Sequence, residues 1–532
     1  MGRVQRLIDR GAAQWLALAC MVILALPGFF TLPPVDRDEV LFAQASSQML
    51  ASGDPVDIRF ADQPRYKKPI GIYWLQAASA AITGHPEAIW SYRLISLLGA
   101  LIATAFTYKT ARLALPSDQA LLAAILLASS LMLGAEARLA KTDAMLLATV
   151  AAAQYVLARL FLPEGRAIIP TVSIYLALGF WLALSASILI KGPIGPMVTA
   201  STLAGLCLYR RDLTLLRALK PLPGLALLLA LTAPWFIAIT LKSNGEFWSA
   251  SLGRDMFQKL SGGRESHGWP PGSYLALIWA TFWPGSILLA AALPTLWRNR
   301  INPLILFALL WITPTWIIFE LTPTKLIHYT LPTYPALALM TAFALTRAKT
   351  LPLWPAAIPA LVPAALLTAI AQQARTLHAT LPLGFWLFGI LALIATLLIL
   401  LTYRRQNPTL TALSLTTASL AMATAIYPSL AQLDVLWPAV PLAKIAKDHP
   451  DCPMIITGYA EPSLVFLSRN HVTFATPEDL AHALTQPHCI VAVLPQTSAI
   501  LPDAEPLATI QGLDLGTGKP LNLLVFLKPT VP

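Results

Sequence analysis

Long apolar runs dominate this chain and restrict what it can fold into. A helix needs about 20 apolar residues to cross the ~30 Å hydrocarbon layer of a membrane. Thirteen runs of this kind lie near residues 14–32, 89–108, 119–135, 143–162, 171–189, 193–209, 223–241, 273–293, 303–320, 328–346, 352–370, 383–403 and 409–427. Of the 532 residues, 56% are hydrophobic and only 12% are charged, against about 25% charged in a soluble domain. The sequence therefore predicts a polytopic α-helical membrane protein with about 13 transmembrane helices, and it argues against a soluble enzyme, a disordered chain or a disulfide scaffold.

Charge divides the chain into two parts. Residues 1–427 carry 32 Lys and Arg against 17 Asp and Glu, whereas residues 428–532 carry 5 against 9. We therefore predict a transmembrane domain over 1–427 and a small soluble α/β domain over 428–532, where short apolar runs alternate with Gly, Pro and Asp. The net charge of +11 does not indicate a nucleic-acid partner, because such binding needs a basic soluble surface. Cys452 and Cys489 lie in the second part, and whether they are bonded stays open.

Cations in the connectors predict the topology through the positive-inside rule. Seventeen of them fall in alternate connections. They are Arg3, Arg6, Arg10, Lys109, Arg112, Arg159, Arg166, Arg210, Arg211, Arg217, Lys220, Arg298, Arg300, Arg347, Lys349, Arg404 and Arg405. This pattern predicts a cytoplasmic N-terminus and an exterior C-terminal domain. Because no N-x-S/T glycosylation site occurs, we expect the bacterial inner membrane, with the C-terminal domain in the periplasm.

The first exterior loop, residues 33–88, combines carboxylates with cations. Asp38 and Glu39 open a helical stretch, and Arg65 and Lys68 follow before the next apolar segment. Carboxylates are also favoured at a helix start by the helix dipole, and such cations also bind anionic lipid head groups. The alternative is a carboxylate base beside a phosphate clamp, which is the equipment for group transfer from a phosphate-activated donor.

Further ionisable residues interrupt short exterior connectors between apolar runs. They are Glu136, Arg138, Lys141, Asp143, Lys191, Lys325 and His328, with Tyr329 beside them and His267 in a Gly-rich loop. Charges at membrane depth cost at least ~2.5 kcal/mol each, so they are candidates for function. Mutual ion pairing that holds helices together is the alternative. Glu39 and His267 could approach a divalent cation, but no ligand spacing establishes a metal site.

These residues occur in an order that resembles a known family. The strongest motif is Asp38-Glu39, then Met49 to Asp54, then Lys68-Pro69-Ile70 with Tyr73-Trp74. Supporting pieces are Arg138 with Asp143, Lys191-Gly192-Pro193, Pro234-Trp235, His267 with Trp269-Pro270 and Tyr274, Lys325-Leu326 with Tyr329 and Pro332, and Pro462 to Phe466 in the tail. The set resembles the bacterial polyprenyl-phosphate-dependent glycosyltransferases related to the lipid A aminoarabinose transferases and the protein O-mannosyltransferases. This chain departs from that pattern at Leu41, Phe42 and Asp255-Met256.

The resemblance implies a C-type membrane glycosyltransferase fold and a role for each matched residue. It makes Asp38, Glu39 and Asp143 the catalytic acidic residues. It gives Lys68 contact with the donor phosphate and places Arg65, Arg138, Lys191, His267, Lys325 and Tyr329 along the substrate cavity. The implied reaction transfers a sugar with inversion from an undecaprenyl phosphate donor to a lipid, glycan or protein acceptor such as lipid A. A transporter or flippase for a lipid-linked sugar is the alternative. We expect a monomer and leave a divalent cation open as a cofactor.

Overall fold

The computed structural model describes most of the chain as helices followed by a C-terminal sheet. The described residues are 12–162, 173–251, 253, 269–347, 354–405, 407–469, 472–476, 478–480, 490–495 and 505–527. Helices before the sheet cover Ala13–Ala25, Asp38–Ser52, Gly71–Thr83, Ile89–Ala111, Ser117–Ala128, Leu131–Glu136, Asp143–Phe161, Ile174–Lys191, Ile194–Arg210, Thr214–Ala218, Pro221–Lys242, Glu246–Trp248, Ser273–Thr281, Gly285–Arg298, Pro303–Leu321, Tyr334–Arg347, Ala357–Ala360, Val362–Thr376, Leu383–Arg404 and Pro408–Ala431. Short 3₁₀ turns lie at Leu331–Thr333, Trp354–Ala356 and Asp434–Leu436.

The predicted apolar runs coincide with helical segments, but not all of these qualify as membrane spans. In the described residues, eight helices are long and apolar enough to cross a membrane, and the apolar helices Ala13–Ala25, Ser117–Ala128 and Leu331–Leu345 are shorter. The multi-pass character is therefore confirmed, whereas the count of about thirteen stays a prediction.

The predicted spans 119–135 and 273–293 are each divided into two helices. The run 119–135 breaks at Ser129 and Ser130, where the Ser130 hydroxyl accepts a hydrogen bond from Leu133 N and begins a new helix. The run 273–293 breaks between Thr281 and Gly285. Apolar composition does not reveal such breaks, because serine and proline fit within an apolar run while each ends the helical hydrogen bonding locally.

The helix Asp143–Phe161 lies at the centre of the bundle. It packs between Ile89–Ala111 and Ile174–Lys191, and 83% of its most apolar window is buried inside the protein. By contrast, the segments Trp354–Thr376 and Leu383–Arg404 are only 17% and 33% buried. Their exposed large hydrophobic residues are leucine, isoleucine, tryptophan and phenylalanine, as expected for surfaces in contact with lipid.

The C-terminal region folds as a mixed α/β unit, in agreement with the predicted small module. An antiparallel hairpin, β1 (Arg59–Phe60) and β2 (Gln63–Pro64), lies in the first loop. The C-terminal strands are β3 Met454–Ile456, β4 Val472–Phe474, β5 Ile490–Val493, β6 Ala508–Asp514 and β7 Lys519–Leu527. These five strands form one sheet in the order β4-β3-β5-β7-β6. Strand β3 is parallel to β4 and β5, and β7 is antiparallel to β5 and β6. Helices Ala439–Asp448 and Pro462–Ser468 accompany the sheet.

The structure describes only one of the two cysteines of this region. Cys452 is described, whereas Cys489 lies outside the described residues. The last membrane helix continues to Ala431, past the predicted boundary at residue 427.

Candidate active site

An ion pair joins the start of one helix to the end of its neighbour. Asp143 is the first residue of Asp143–Phe161, and Lys191 is the last residue of Ile174–Lys191. The helix dipole favours an anion at the first position and a cation at the second. Lys191 Nζ donates directly to Asp143 Oδ1, and both side chains are nearly buried. Gly192, at φ +65°, ends the helix and lets Pro193 lead into the next one.

A second ion pair and a histidine extend this charged cluster. Lys141 Nζ donates to Glu136 Oε1 over 2.9 Å. The His328 ring lies between the two pairs, with Nε2 3.5 Å from Asp143 Oδ1 and Nδ1 3.8 Å from Glu136 Oε1. We refer to these five side chains (Glu136, Lys141, Asp143, Lys191 and His328) as the charged cluster.

The charged cluster contains groups that could bind a cation. One ligand atom each from Glu136, Asp143 and His328 lies within 4.8 Å of the others. Each carboxylate already has a lysine ammonium as its partner, so a metal ion would have to displace two positive charges. The possible cation ligands in the structure, Glu136, Asp143 and His328, therefore differ from the predicted Glu39 and His267. The lysine ammonium groups occupy the places beside the two carboxylates where a metal ion would bind.

The charged cluster lies at the polar end of a large apolar cavity. This cavity has a volume of about 680 Å³, and Asp143, Lys191, His328 and Tyr329 line it together with Lys67 and Lys68. The rest of its wall is mostly apolar, including Leu146, Ile188, Ile194, Met197, Phe236 and Phe247. The shape is suited to a molecule with a long hydrocarbon part and an anionic head.

A smaller polar cavity adjoins the large one and contains the first-loop residues. Its volume is about 90 Å³, and its lining residues are Asp38, Leu41, Phe42, Arg65, Lys67, Lys68, Lys141, Thr142, Asp143, Lys191, Leu326, His328 and Tyr329. Asp38 is the exposed first residue of the helix Asp38–Ser52. The Arg65 guanidinium lies 5.0 Å from the centre of the Phe42 ring and donates to the Tyr73 hydroxyl over 3.4 Å. This cavity therefore places the exposed Asp38 carboxylate near several cationic side chains.

Five of the predicted site residues besides Asp38 line these cavities, and three others do not. Arg65, Lys68, Asp143, Lys191 and Tyr329 belong to the first group. Glu39 is 1% exposed and is held by Arg93, which donates to both of its oxygens over 2.7 and 2.8 Å.

Arg138 and Lys325 also lie away from the cavity walls. Arg138 donates to the carbonyl oxygens of Pro27, Gly134 and Leu24, and its guanidinium lies 4.2 Å from the Tyr427 ring centre. It thus satisfies carbonyl groups at the end of the first helix. Lys325 Nζ donates to Thr322 O over 2.9 Å. His267 lies outside the described residues.

Lys67, Lys141 and His328 line the cavities, although the resemblance assigns them no role. Lys67 and His328 line both cavities, and Lys141 lines the smaller one. The adjacent pairs Lys67-Lys68 and His328-Tyr329 were a usable signal. Neighbours in a turn can face the same cavity, whereas neighbours in a helix point about 100° apart.

Comparisons with known proteins agree with the resemblance predicted from the motifs. The sequence model of the family described as dolichyl-phosphate-mannose-protein mannosyltransferase matches residues 67–237. The undecaprenyl phosphate-alpha-4-amino-4-deoxy-L-arabinose arabinosyl transferase of Pseudomonas aeruginosa is 26% identical over 62% of this chain and 60% of its own length. The transferase of the same name from Aeromonas salmonicida is 29% identical over 60% and 59%. The chain thus spans about three fifths of the length of these curated relatives.

A solved structure shows the same fold over nearly the whole chain. The crystal structure of ArnT from Cupriavidus metallidurans bound to undecaprenyl phosphate superimposes with a TM-score of 0.75, covering 96% of this chain and 97% of that chain at 20% identity. The archaeal oligosaccharyltransferase AglB from Archaeoglobus fulgidus has a TM-score of 0.50 at 12% identity over 91% and 69%. The predicted C-type membrane glycosyltransferase fold and the resemblance to the aminoarabinose transferases are confirmed.

Proposed function

We propose that this protein is a membrane glycosyltransferase that moves a sugar from a polyprenyl phosphate donor to an acceptor on the exterior face. The observation that carries the proposal is the junction of an apolar cavity of about 680 Å³ with a polar cavity that holds Asp38 and several lysines. The names of the relatives favour undecaprenyl phosphate as the lipid and 4-amino-4-deoxy-L-arabinose as the sugar. Lipid A, another glycolipid or a protein is the acceptor.

The hydrocarbon tail and the phosphate of the donor occupy different parts of the two cavities. Its hydrocarbon tail lies against the apolar wall, and its phosphate lies near Lys67, Lys68 and Lys191, where those side chains line the cavity. Lysine is a compact positive charge suited to a phosphate. Burial of Lys191 strengthens its interaction with charge that develops during the reaction.

The reaction breaks the bond between the sugar carbon and the phosphate oxygen. An acceptor hydroxyl attacks this carbon from the opposite face, which inverts it, and its proton passes to the Asp38 carboxylate. The bonding electron pair leaves with the phosphate oxygen, so polyprenyl phosphate is released. Asp143 holds Lys191 beside the phosphate and faces His328, which makes it a positioning residue in this scheme.

The topology belongs to the same proposal. Thirteen spans, with the N-terminus in the cytoplasm and residues 428–532 in the periplasm, place Asp38 on the exterior side of a bacterial inner membrane. The test is a Thr509→Cys variant in a cysteine-free background, because Thr509 is exposed on strand β6. A membrane-impermeant maleimide is expected to label it in intact spheroplasts. Labelling only after lysis would contradict the orientation.

The central test is transfer by the purified full-length protein in detergent. With undecaprenyl-phosphate-linked aminoarabinose and lipid A, we expect glycosylated lipid A and an equal amount of undecaprenyl phosphate, measured by mass spectrometry. Asp38→Asn is expected to lower the rate by about 10²- to 10⁴-fold, since it removes the general base. Asp62→Asn, an exposed carboxylate in the same loop, is the matched control and is expected to keep the rate.

Three outcomes separate this proposal from its rivals. Full activity of Asp38→Asn would overturn the assignment of the base. Movement of the intact donor across vesicles without product in detergent would indicate the transporter instead. If aminoarabinose is not transferred, mass spectrometry of envelope lipids from cells lacking and overproducing the protein is expected to reveal a different sugar, and an unchanged profile would count against transfer altogether.

A further inference from the structure

The C-terminal domain contacts the chain directly before the proposed base. Asp36 Oδ1 accepts a hydrogen bond from Ser463 N over 2.7 Å, and Asp36 Oδ2 accepts one from the Ser463 hydroxyl over 2.7 Å. Arg37 Nη2 lies 3.4 Å from Glu461 Oε1. The helix that begins with Asp38 follows immediately. Two successive residues of the first loop are therefore tied to the first turn of the helix Pro462–Ser468.

An apolar contact continues this interface along the same helix. Phe466 is 5% exposed and packs in one cluster with Val40 and Ala43 from the Asp38–Ser52 helix. Its ring lies 5.8 Å from the Tyr92 ring, edge to face. At the far end, Arg469 Nη2 lies 3.9 Å from Glu87 Oε2. The helix of the C-terminal domain thus contacts the first loop at Asp36 and at the start of the Asp38–Ser52 helix, and its end contacts Glu87.

The polar end of the interface is closely fitted. A Cβ atom at Gly516 would overlap Glu461 Oε1 and Arg37 Nη2, so a larger residue in the turn between β6 and β7 would require the ends of both side chains to move. Asp514 in the same region hydrogen-bonds Glu461. These contacts restrict Asp36 and Arg37 from the domain side, whereas Asp38 lines the smaller cavity together with members of the charged cluster.

We propose that the C-terminal domain positions the base: Ser463 and Glu461 hold Asp36 and Arg37, and this contact fixes the start of the helix that carries Asp38. The inference depends on the proposed function, because Asp38 must act in transfer. Asp36 and Ser463 are then positioning residues, and the exterior domain is part of the catalytic architecture. Removal of the contact lets Asp38 move relative to the donor, and a displacement of about 1 Å is enough to lower a rate about 100-fold.

The test measures transfer kinetics of full-length variants. Asp36→Ala is expected to lower kcat about 10- to 100-fold with the donor KM unchanged, because the cavity lysines that bind the donor stay in place. Ser463→Ala removes one of the two hydrogen bonds and is expected to lower kcat about threefold. Rates are normalised to the sites that bind undecaprenyl phosphate, so that loss of folded protein does not count as loss of catalysis.

A double-mutant cycle separates positioning from a general structural effect. In an Asp38→Asn background, Asp36→Ala is expected to have no further effect on the residual rate, since it acts through Asp38. The controls Asp451→Asn and Thr509→Ala change exposed residues of the same domain and are expected to keep wild-type rates.

Different failures point to different conclusions. If Asp38→Asn abolishes transfer but Asp36→Ala and Ser463→Ala keep full kcat, the positioning proposal is wrong and the proposed function stands. If Asp36→Ala lowers the residual rate equally in the Asp38→Asn background, its effect does not pass through the base. Full activity of Asp38→Asn contradicts the proposed function itself.

Discussion

Two sets of buried charges in this membrane protein differ in how completely they are satisfied. In the first, all five N–H groups of Arg93 are used: they donate to Glu39 and to the carbonyl oxygens of Phe29, Leu32 and Pro33. Glu39 also accepts from the backbone of Val35 and Ala140. In the second set, the charged cluster, the side chains pair with one another, and all of them except Glu136 also line the cavities.

The difference shows that burial of charge in a membrane does not by itself indicate catalysis. Because all N–H groups of Arg93 already have partners, the Arg93–Glu39 pair has no remaining capacity for a substrate. The pair instead holds the first loop against the helix that carries Arg93. A cluster that faces a cavity can exchange partners with an anionic ligand. Arg138, bonded to three carbonyl groups, belongs with Arg93 by this criterion.

The strongest test of the comparison is Arg93→Met. It leaves the Glu39 carboxylate buried without its partner, so we expect a loss of about 3–5 kcal/mol in stability. The measurement is thermal unfolding in detergent, followed by the fraction of protein that stays monodisperse. Lys191→Met is the matched control, because it also removes a cation but one that lines the cavity. Equal unfolding temperatures for the two variants would contradict the claim that the Arg93–Glu39 set is structural and the charged cluster is not.

Lys191→Met is expected to have the converse effect. We expect transfer to fall by about 10²- to 10³-fold, since a charge that stabilises the leaving phosphate is lost. Thermal unfolding is expected to change less than for Arg93→Met, because Asp143 retains His328 as a neighbour and lines the cavities. Retained transfer with purified donor would remove Lys191 from the phosphate site.

Most of the membrane fold could be predicted, because apolar runs of about 20 residues are a direct consequence of the bilayer. The site was predictable where a charge stands in a short connector, as for Asp143 and Lys191. The sequence could not distinguish Asp38 from Glu39, because neighbours on a helix point about 100° apart and only the packing decides which one faces the cavity. Nor could it predict the contact between Asp36 and Ser463, which depends on how distant segments pack.

The interface between the first loop and the C-terminal domain is expected to depend on pH. Burial raises the pKa of Asp36 to about 6, although hydrogen bonds from Ser463 oppose the shift and Arg37 and Asp514 add smaller effects. Burial, with the hydrogen bond to Asp514, raises the pKa of Glu461 to about 7. A raised carboxyl pKa stabilises the folded state at low pH, and this contribution is lost as the pH rises through 6 to 7.

We therefore expect the C-terminal domain to be cleaved faster by a protease at pH 8 than at pH 5.5. Burial would raise the pKa of Asp514, but hydrogen bonds from Glu461 and Thr517 outweigh it, so this pKa is lowered. The stability that Asp514 contributes therefore changes with pH in the opposite direction, but only at pH values below 5.5. Cleavage is measured with a protease whose activity is corrected at each pH on an unfolded substrate. The double variant Asp36→Asn with Glu461→Gln is expected to show no pH dependence. Protection that rises with pH would contradict the sign of this argument.

Lys325→Met is expected to have the smallest effect. Although this side chain is 5% exposed, its ammonium donates to the carbonyl oxygen of Thr322, the residue that ends the helix Pro303–Leu321, and it does not line either cavity. A cation at a helix C-terminus contributes about 0.3–1 kcal/mol, so we expect a slightly lower unfolding temperature and a transfer rate within about threefold of wild type. A 100-fold loss of transfer with unchanged unfolding, the result expected for Lys191→Met, would place Lys325 with the charged cluster and would show that satisfaction by a backbone carbonyl does not exclude a catalytic role.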